Sequence, residues 1–226
     1  MTKTTFMKTT KLLFITGIVL LCGLIYTQRS TPSFFVDYLS VYTFFISLSI
    51  GATFFIILMS LTRAGWGIAI KRVPEFLMSI LPYYALLFIP ILFGLDFIFE
   101  WLQPQHIAHD ILIQKKMPYL NQPFFVIRNI IYFVVFSTVS TFYWLSSKQQ
   151  DSAKKKDAIE LTKKMQRRAP VSLLLMSLVT SFASFDWLMS LYPHWFSTVF
   201  GIYYFAGAMV FMFSVTIIIY EVLKKV

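Results

Sequence analysis

Apolar residues run through this chain in six blocks, at about 12–26, 34–61, 77–101, 124–146, 170–191 and 196–220, each bounded by charged or turn-forming residues. A helix needs roughly 20 residues to cross a hydrocarbon core of about 30 Å. Five blocks meet or approach that length. The first is shorter, and Lys8 and Lys11 beside it can snorkel to the interface. No succession of short alternating segments marks a barrel, so the pattern predicts helices, whose backbones satisfy their own hydrogen bonds in lipid. The expected fold class is an all-α integral membrane protein with about six transmembrane helices.

Composition agrees. Of 226 residues, 58% are hydrophobic, 19% aromatic and 13% charged, and the mean hydropathy is +0.70. Soluble domains carry about 25% charged residues, so the bilayer is the expected solvent. The net charge of +10 would suggest nucleic acid for a soluble chain. Here the cations sit in blocks between apolar runs, which is topogenic patterning, and no nucleic-acid partner is expected. Sixteen Lys and Arg fall in one set of alternate connections and four (Arg29, Lys115, Lys116, Arg128) in the other. The positive-inside rule then puts both termini in the cytoplasm. The expected segments are a signal-anchor helix and short outer loop at 1–33, spans two to four at 34–146 with an outer loop at 102–123, a basic cytoplasmic loop at 147–169, and spans five and six at 170–226. That basic loop is expected to be part helical, to stop before Pro170 and to have some affinity for anionic headgroups.

The single cysteine, Cys22, excludes an internal disulfide, a C-x-x-C-H haem attachment and a cysteine-ligated cluster. Leu21 stands where a lipoprotein needs a small residue, and no A-x-A-like cleavage site follows, so 1–26 reads as a retained anchor.

Polar residues sort by depth. Asp96 and Glu100, spaced i, i+4 at the outer end of span three, would share a helix face and repel if both were charged. Asp186 lies deeper, between Phe185 and Trp187 near the end of span five, where a carboxylate usually pairs or relays protons. All three histidines, His106, His109 and His194, fall on the same side. The run His106 to Asp110 resembles half a metal site but has no further ligand nearby in sequence, so no metal is expected. No histidine lies inside a span, so no bis-histidine haem is expected either. Asp186 and His194, separated by a short Pro-containing turn, are expected to pair. Ser197, Gly201 and Ala208 would line one stripe of span six and favour close helix contact. Pro82 and Pro90 should kink span three.

Three separated motifs, RAGWGIAIKRVPE (63–75), HIAHDILIQKKMPYLNQPFFVIRNIIYF (106–133) and SFDWLMSLYPHWFSTVFGIYYFAG (184–207), resemble the ActF-like membrane subunits of bacterial alternative complex III. That complex is a quinol:cytochrome c oxidoreductase, and the subunit belongs to the NrfD-like, or polysulfide-reductase-like, family. The resemblance begins at about residue 40 and runs over most of the remaining chain. It implies a multi-pass subunit of the bacterial inner membrane that binds no redox cofactor itself, beside a related quinol-site subunit and multihaem cytochrome and iron–sulfur subunits. Quinol or quinone is the implied small molecule, and a proton path an implied role. It matches Asp186 and His194 to the FDW and PHW positions, His109 and Asp110 to the HD pair, and Arg63 and Trp66 to the AGW loop. With Asp96 and Glu100, the first four are the candidate proton-path or quinone-pocket residues. Arg63, Trp66 and Gly201 are the candidate subunit contacts. Family members carry two four-helix bundles, so spans two to five here correspond to the first, and span six only begins the second. By that measure the resemblance implies a chain shortened relative to the family, as a fragment or an early-terminating gene, or one whose missing helices come from elsewhere.

Two other classes compete with quinone or proton handling. An assembly anchor would have no site of its own. An independent proton or ion transporter would place charges at the midplane of each half, whereas the carboxylates here gather near one rim.

Overall fold

The computed structural model describes residues 31–224 and, before them, Thr16, Gly17, Gly23 and Thr27. Apart from those positions the predicted first span, with Cys22, lies outside the described residues. Every element among the described residues is helical, and five segments are long and apolar enough to cross a membrane: Ser33–Thr62, Arg72–Phe93, Gln122–Ser152, Lys155–Leu191 and Phe200–Leu223. The protein is an all-α membrane protein.

Helix α1 (Pro32–Thr62) starts with proline in its first turn, where no N–H is needed, and ends at Arg63 in the left-handed region (φ 53°). It is the most enclosed of the spans. The predicted third span is not one helix. It breaks into α2 (Arg72–Ser79), a 3-10 turn at Leu81–Tyr83, α3 (Tyr84–Leu87), α4 (Ile89–Phe93), α5 (Leu95–Ile98) and a second 3-10 turn at Glu100–Leu102. Pro82 and Pro90 stand at two of these restarts, as expected of residues that lack a donor N–H. Hydroxyls on α1 bond carbonyls of the interrupted segment: Ser49 Oγ donates to Leu77 O at 2.8 Å, Tyr42 Oη to Tyr84 O at 3.1 Å and Tyr38 Oη to Leu87 O at 2.7 Å. Irregular backbone at membrane depth is tolerable only with such partners.

Two short helices follow, α6 (Pro104–His109) and α7 (Ile111–Lys116), then α8 (Gln122–Ser152) and α9 (Lys155–Trp187). The predicted basic loop is therefore a tight hairpin. Residues 147–152 complete α8 and 155–169 begin α9, which runs straight through Pro170. A proline inside a helix costs about 3 kcal/mol, and pairing along α8 offsets it: Gln150 Nε2 donates to Thr162 Oγ1 at 2.7 Å and Tyr143 Oη to Met165 O at 3.3 Å.

The interrupted span packs beside α1 and α8, and α9 beside α8 and α1, so predicted spans two to five close into a four-helix bundle. Helix α10 (Phe200–Leu223) lies on its outside, against α1 and α9. It approaches closely, because a side chain on Gly51 of α1 would run into the Ala208 carbonyl. The predicted small-residue stripe forms in part, at Gly201 and Ala208. Ser197 precedes the helix, Ala208 faces α1 and Gly201 faces Ser181 of α9. Gly201 is buried against α9.

Candidate functional site

Asp186 sits in the last turn of α9 and is 1% exposed. Its partner is Arg128, from the second turn of α8, whose side chain is 7% exposed. The guanidinium grips the carboxylate in a fork, Nε to Oδ2 at 2.7 Å and Nη2 to Oδ1 at 3.0 Å, and Nη1 donates to Tyr119 O at 2.8 Å. Tyr132 Oη donates to Oδ2 at 2.7 Å and Tyr119 Oη to Oδ1 at 3.2 Å. Both carboxylate oxygens thus accept two hydrogen bonds. The guanidinium lies over the rings of Tyr119 and Phe124, at 3.9 and 4.5 Å from their centroids. Burial, with the Asp186 charge beside it, pushes the Tyr119 phenol up to about 12.

Beside this pair, Trp187 Nε1 donates to Asn129 Oδ1 at 2.6 Å, and its indole packs on Tyr42, Phe88 and Phe133. The next residue along each helix thus repeats the α8–α9 link in neutral form.

His194 is not the partner of Asp186. Its Nε2 lies 2.6 Å from Asp110 Oδ2. Asp110 caps α7, accepting from Leu112 N at 2.9 Å and Ile113 N at 3.2 Å. Desolvation works to raise its carboxyl, but the Ile113 and Leu112 N–H groups and His194 together hold it below its ordinary value. Lys116, at the end of α7, donates to the Pro193 carbonyl. The HD and PHW motifs therefore meet each other and clasp the segment after α9 onto the short helices.

The remaining candidates stay apart. Asp96 is exposed on α5, and Phe99 adopts an extended conformation (φ −110°, ψ 118°) between it and Glu100. The two carboxylates therefore share no helix face, because the span breaks where a continuous helix was expected. His109 is exposed at the end of α6. Among the described residues, no group of three or more His, Cys, Asp or Glu could hold a metal ion. Arg63 and the 72% exposed Trp66 lie at the opposite end of the bundle.

A cavity of about 340 Å³ adjoins the Asp186 cluster, with Tyr119 and Ser190 in its wall among Phe185, Met189, Trp195 and Phe196. Ser190 Oγ also donates to the Asp186 backbone carbonyl at 2.6 Å. The cavity is mostly apolar, and Tyr119 links it to the carboxylate.

No protein-family model and no curated protein matches the chain.

Sequence reading missed Arg128 and Glu75. Arg128 counted as one of four outer cations, although an arginine one turn into an apolar block, like Asp186, is a signal for a buried partner. Glu75 is 0% exposed at the basic end, held by Lys71 Nζ at 2.8 Å, Arg72 Nη1 at 3.1 Å and Ser147 Oγ at 2.5 Å.

Proposed function

We propose that this chain is a membrane subunit of a bacterial respiratory quinol:cytochrome c oxidoreductase of the alternative complex III type, handling quinone or its protons at the rim that carries Asp186. That rim faces outward, and both termini lie in the cytoplasm. The observation that carries the reading is the apolar cavity backed, through Tyr119, by a buried and fully bonded carboxylate. Such a cavity suits an apolar ring with a hydroxyl, since the walls take the ring and Tyr119 offers an oxygen. Asp186 and Arg128 hold Tyr119 in place, and the clasp of Asp110, His194, Lys116 and Pro193 borders the cavity. Two of the three motifs that carry the family resemblance support this reading, because they supply the cluster and the clasp. The haem and iron–sulfur clusters of the reading belong to partner subunits, and the basic segments gathered at the other end support the orientation.

The test is purification of the chain from its native membrane, followed by quinol oxidation assays on Tyr119→Phe and Asp186→Asn. The chain should travel with multihaem and iron–sulfur subunits, and both variants should assemble yet turn over more slowly. Normal turnover in assembled variants would leave only an assembly anchor. A chain that purifies without redox partners would remove the oxidoreductase altogether.

A further inference from the structure

Four cations of α9, Lys163, Lys164, Arg167 and Arg168, line one open groove at the basic end of the bundle, with Asp157 and Glu160 at the end of the groove away from the apolar stretch. All six side chains are exposed. None of the four cations forms an ion pair among the described residues, whereas Lys71 and Arg72 at the same end are both held by Glu75. Two of the four are placed on a ring instead. The Arg168 guanidinium carbon lies 4.7 Å, and Lys164 Nζ 5.9 Å, from the ring centroid of Phe142 on α8. Held by the ring alone, the guanidinium keeps its N–H groups for an anionic acceptor.

The same helix face runs on into the membrane. Lys164, Arg168, Val171, Leu175, Leu178 and Phe182 follow one another at steps of three or four residues, so they share one face of α9, and all of them are exposed. The residues on the bundle side, Met165, Ala169, Ser172 and Met176, are buried. The apolar members of the exposed face lie within the membrane-crossing segment Lys155–Leu191. Lys164 and Arg168 therefore stand where the lipid-facing surface of the helix begins, at the level of the headgroups.

We propose that Lys164 and Arg168, seated on Phe142, hold the phosphate of one anionic phospholipid whose acyl chains lie along Val171, Leu175 and Leu178. Charge complementarity decides the occupant. Residues 1–30 bring Lys3, Lys8, Lys11 and Arg29 and no carboxylate, so the chain's own first segment adds only like charge. A second copy set on this face about a two-fold axis meets the same cations. An acidic soluble segment pairs with the cations but leaves the apolar stripe uncovered, whereas a phospholipid carries both halves on one molecule. A diffuse attraction to headgroups is shared by every cation of the hairpin, and this site differs from it in resting on two. It is independent of any quinol chemistry at the Asp186 rim.

The test equilibrates the full chain in mild detergent with phosphatidylglycerol and phosphatidylcholine of the same acyl chains, and counts bound lipid by native mass spectrometry. One phosphatidylglycerol should be retained in preference to phosphatidylcholine. Lys164→Gln and Arg168→Gln should each weaken that retention about 5-fold and together about 30-fold, as expected for one cation apiece at a headgroup surface. Lys155→Gln with Lys156→Gln removes the same charge about 12 Å or more along the helix, beyond a Debye length of about 8 Å, and should change retention by less than about 2-fold. Rising ionic strength should release the phosphatidylglycerol from the wild-type chain, a readout that stands even where the Lys164 and Arg168 double variant fails to accumulate. Inorganic phosphate in equal amount should not displace the lipid. Equal retention of the two lipids, equal loss in the two double variants, indifference to salt, or displacement by inorganic phosphate would overturn the proposal.

Discussion

Asp186 and Glu75 are both carboxylates almost without exposure, at opposite ends of one helical bundle, and they are held in different ways. Asp186 is gripped by an arginine that is itself buried, with two phenols completing the shell, and the partners come from a different helix and the loop before it. Glu75 is held mainly from its own helix and the turn before it, by Lys71 and Arg72, whose side chains are 21% and 59% exposed, with Ser147 of α8 reaching across. The first pair has no water to fall back on. The second keeps its cations partly solvated, and Arg72 is shared with Asp151. The difference shows why one carboxylate ties α8 to α9 while the other mainly stabilises the start of an interrupted span.

The largest effect that would break this contrast is at Arg128. Arg128→Leu strands Asp186 in a dry site, and removal of one member of a buried pair costs about 3–5 kcal/mol. Thermal unfolding in mild detergent should register it as the steepest loss among single variants. A loss no larger than that of Arg72→Ala, which as a mostly exposed ion pair should stay within about 1 kcal/mol, would erase the distinction between the two ends.

A smaller effect is expected at Glu75. Glu75→Gln keeps an acceptor for Ser147 but removes the charge between Lys71 and Arg72, and should cost about 1–3 kcal/mol. Proteolysis at the basic end should rise while the Asp186 end stays protected. Equal opening of both ends would show that the two clusters act as one.

The smallest effect concerns the clasp and is set by pH. Asp110 titrates below its ordinary value in the folded chain. Its stabilising contribution is therefore complete above the unfolded value and is lost as pH falls through the lowered folded one. Hydrogen exchange at the Leu112 and Ile113 amides, corrected for intrinsic pH dependence, should show protection at neutral pH that fades in acid. In Asp110→Asn that fade should vanish. Protection that grows in acid would reverse the assignment.

The sequence by itself determined the solvent and the architecture class. Blocks of apolar residues and clustered cations leave lipid as the only economical surroundings, and five of the six predicted spans are present among the described residues. It also marked Asp186 as anomalous and Pro82 and Pro90 as breaks, because the cost of a charge or a missing donor at membrane depth is local and legible. Pairing was not legible. Asp186 has Arg128 as its partner, 58 residues away, and His194 turns to Asp110, because the clasp brings the segment after α9 onto the cap of α7. Pro170 reads as a stop in sequence, yet α9 passes through it, since contacts along α8 outweigh the lost bond. Only tertiary structure could decide these points, because the energy of a buried charge or a tolerated proline depends on which distant groups the packing brings to it.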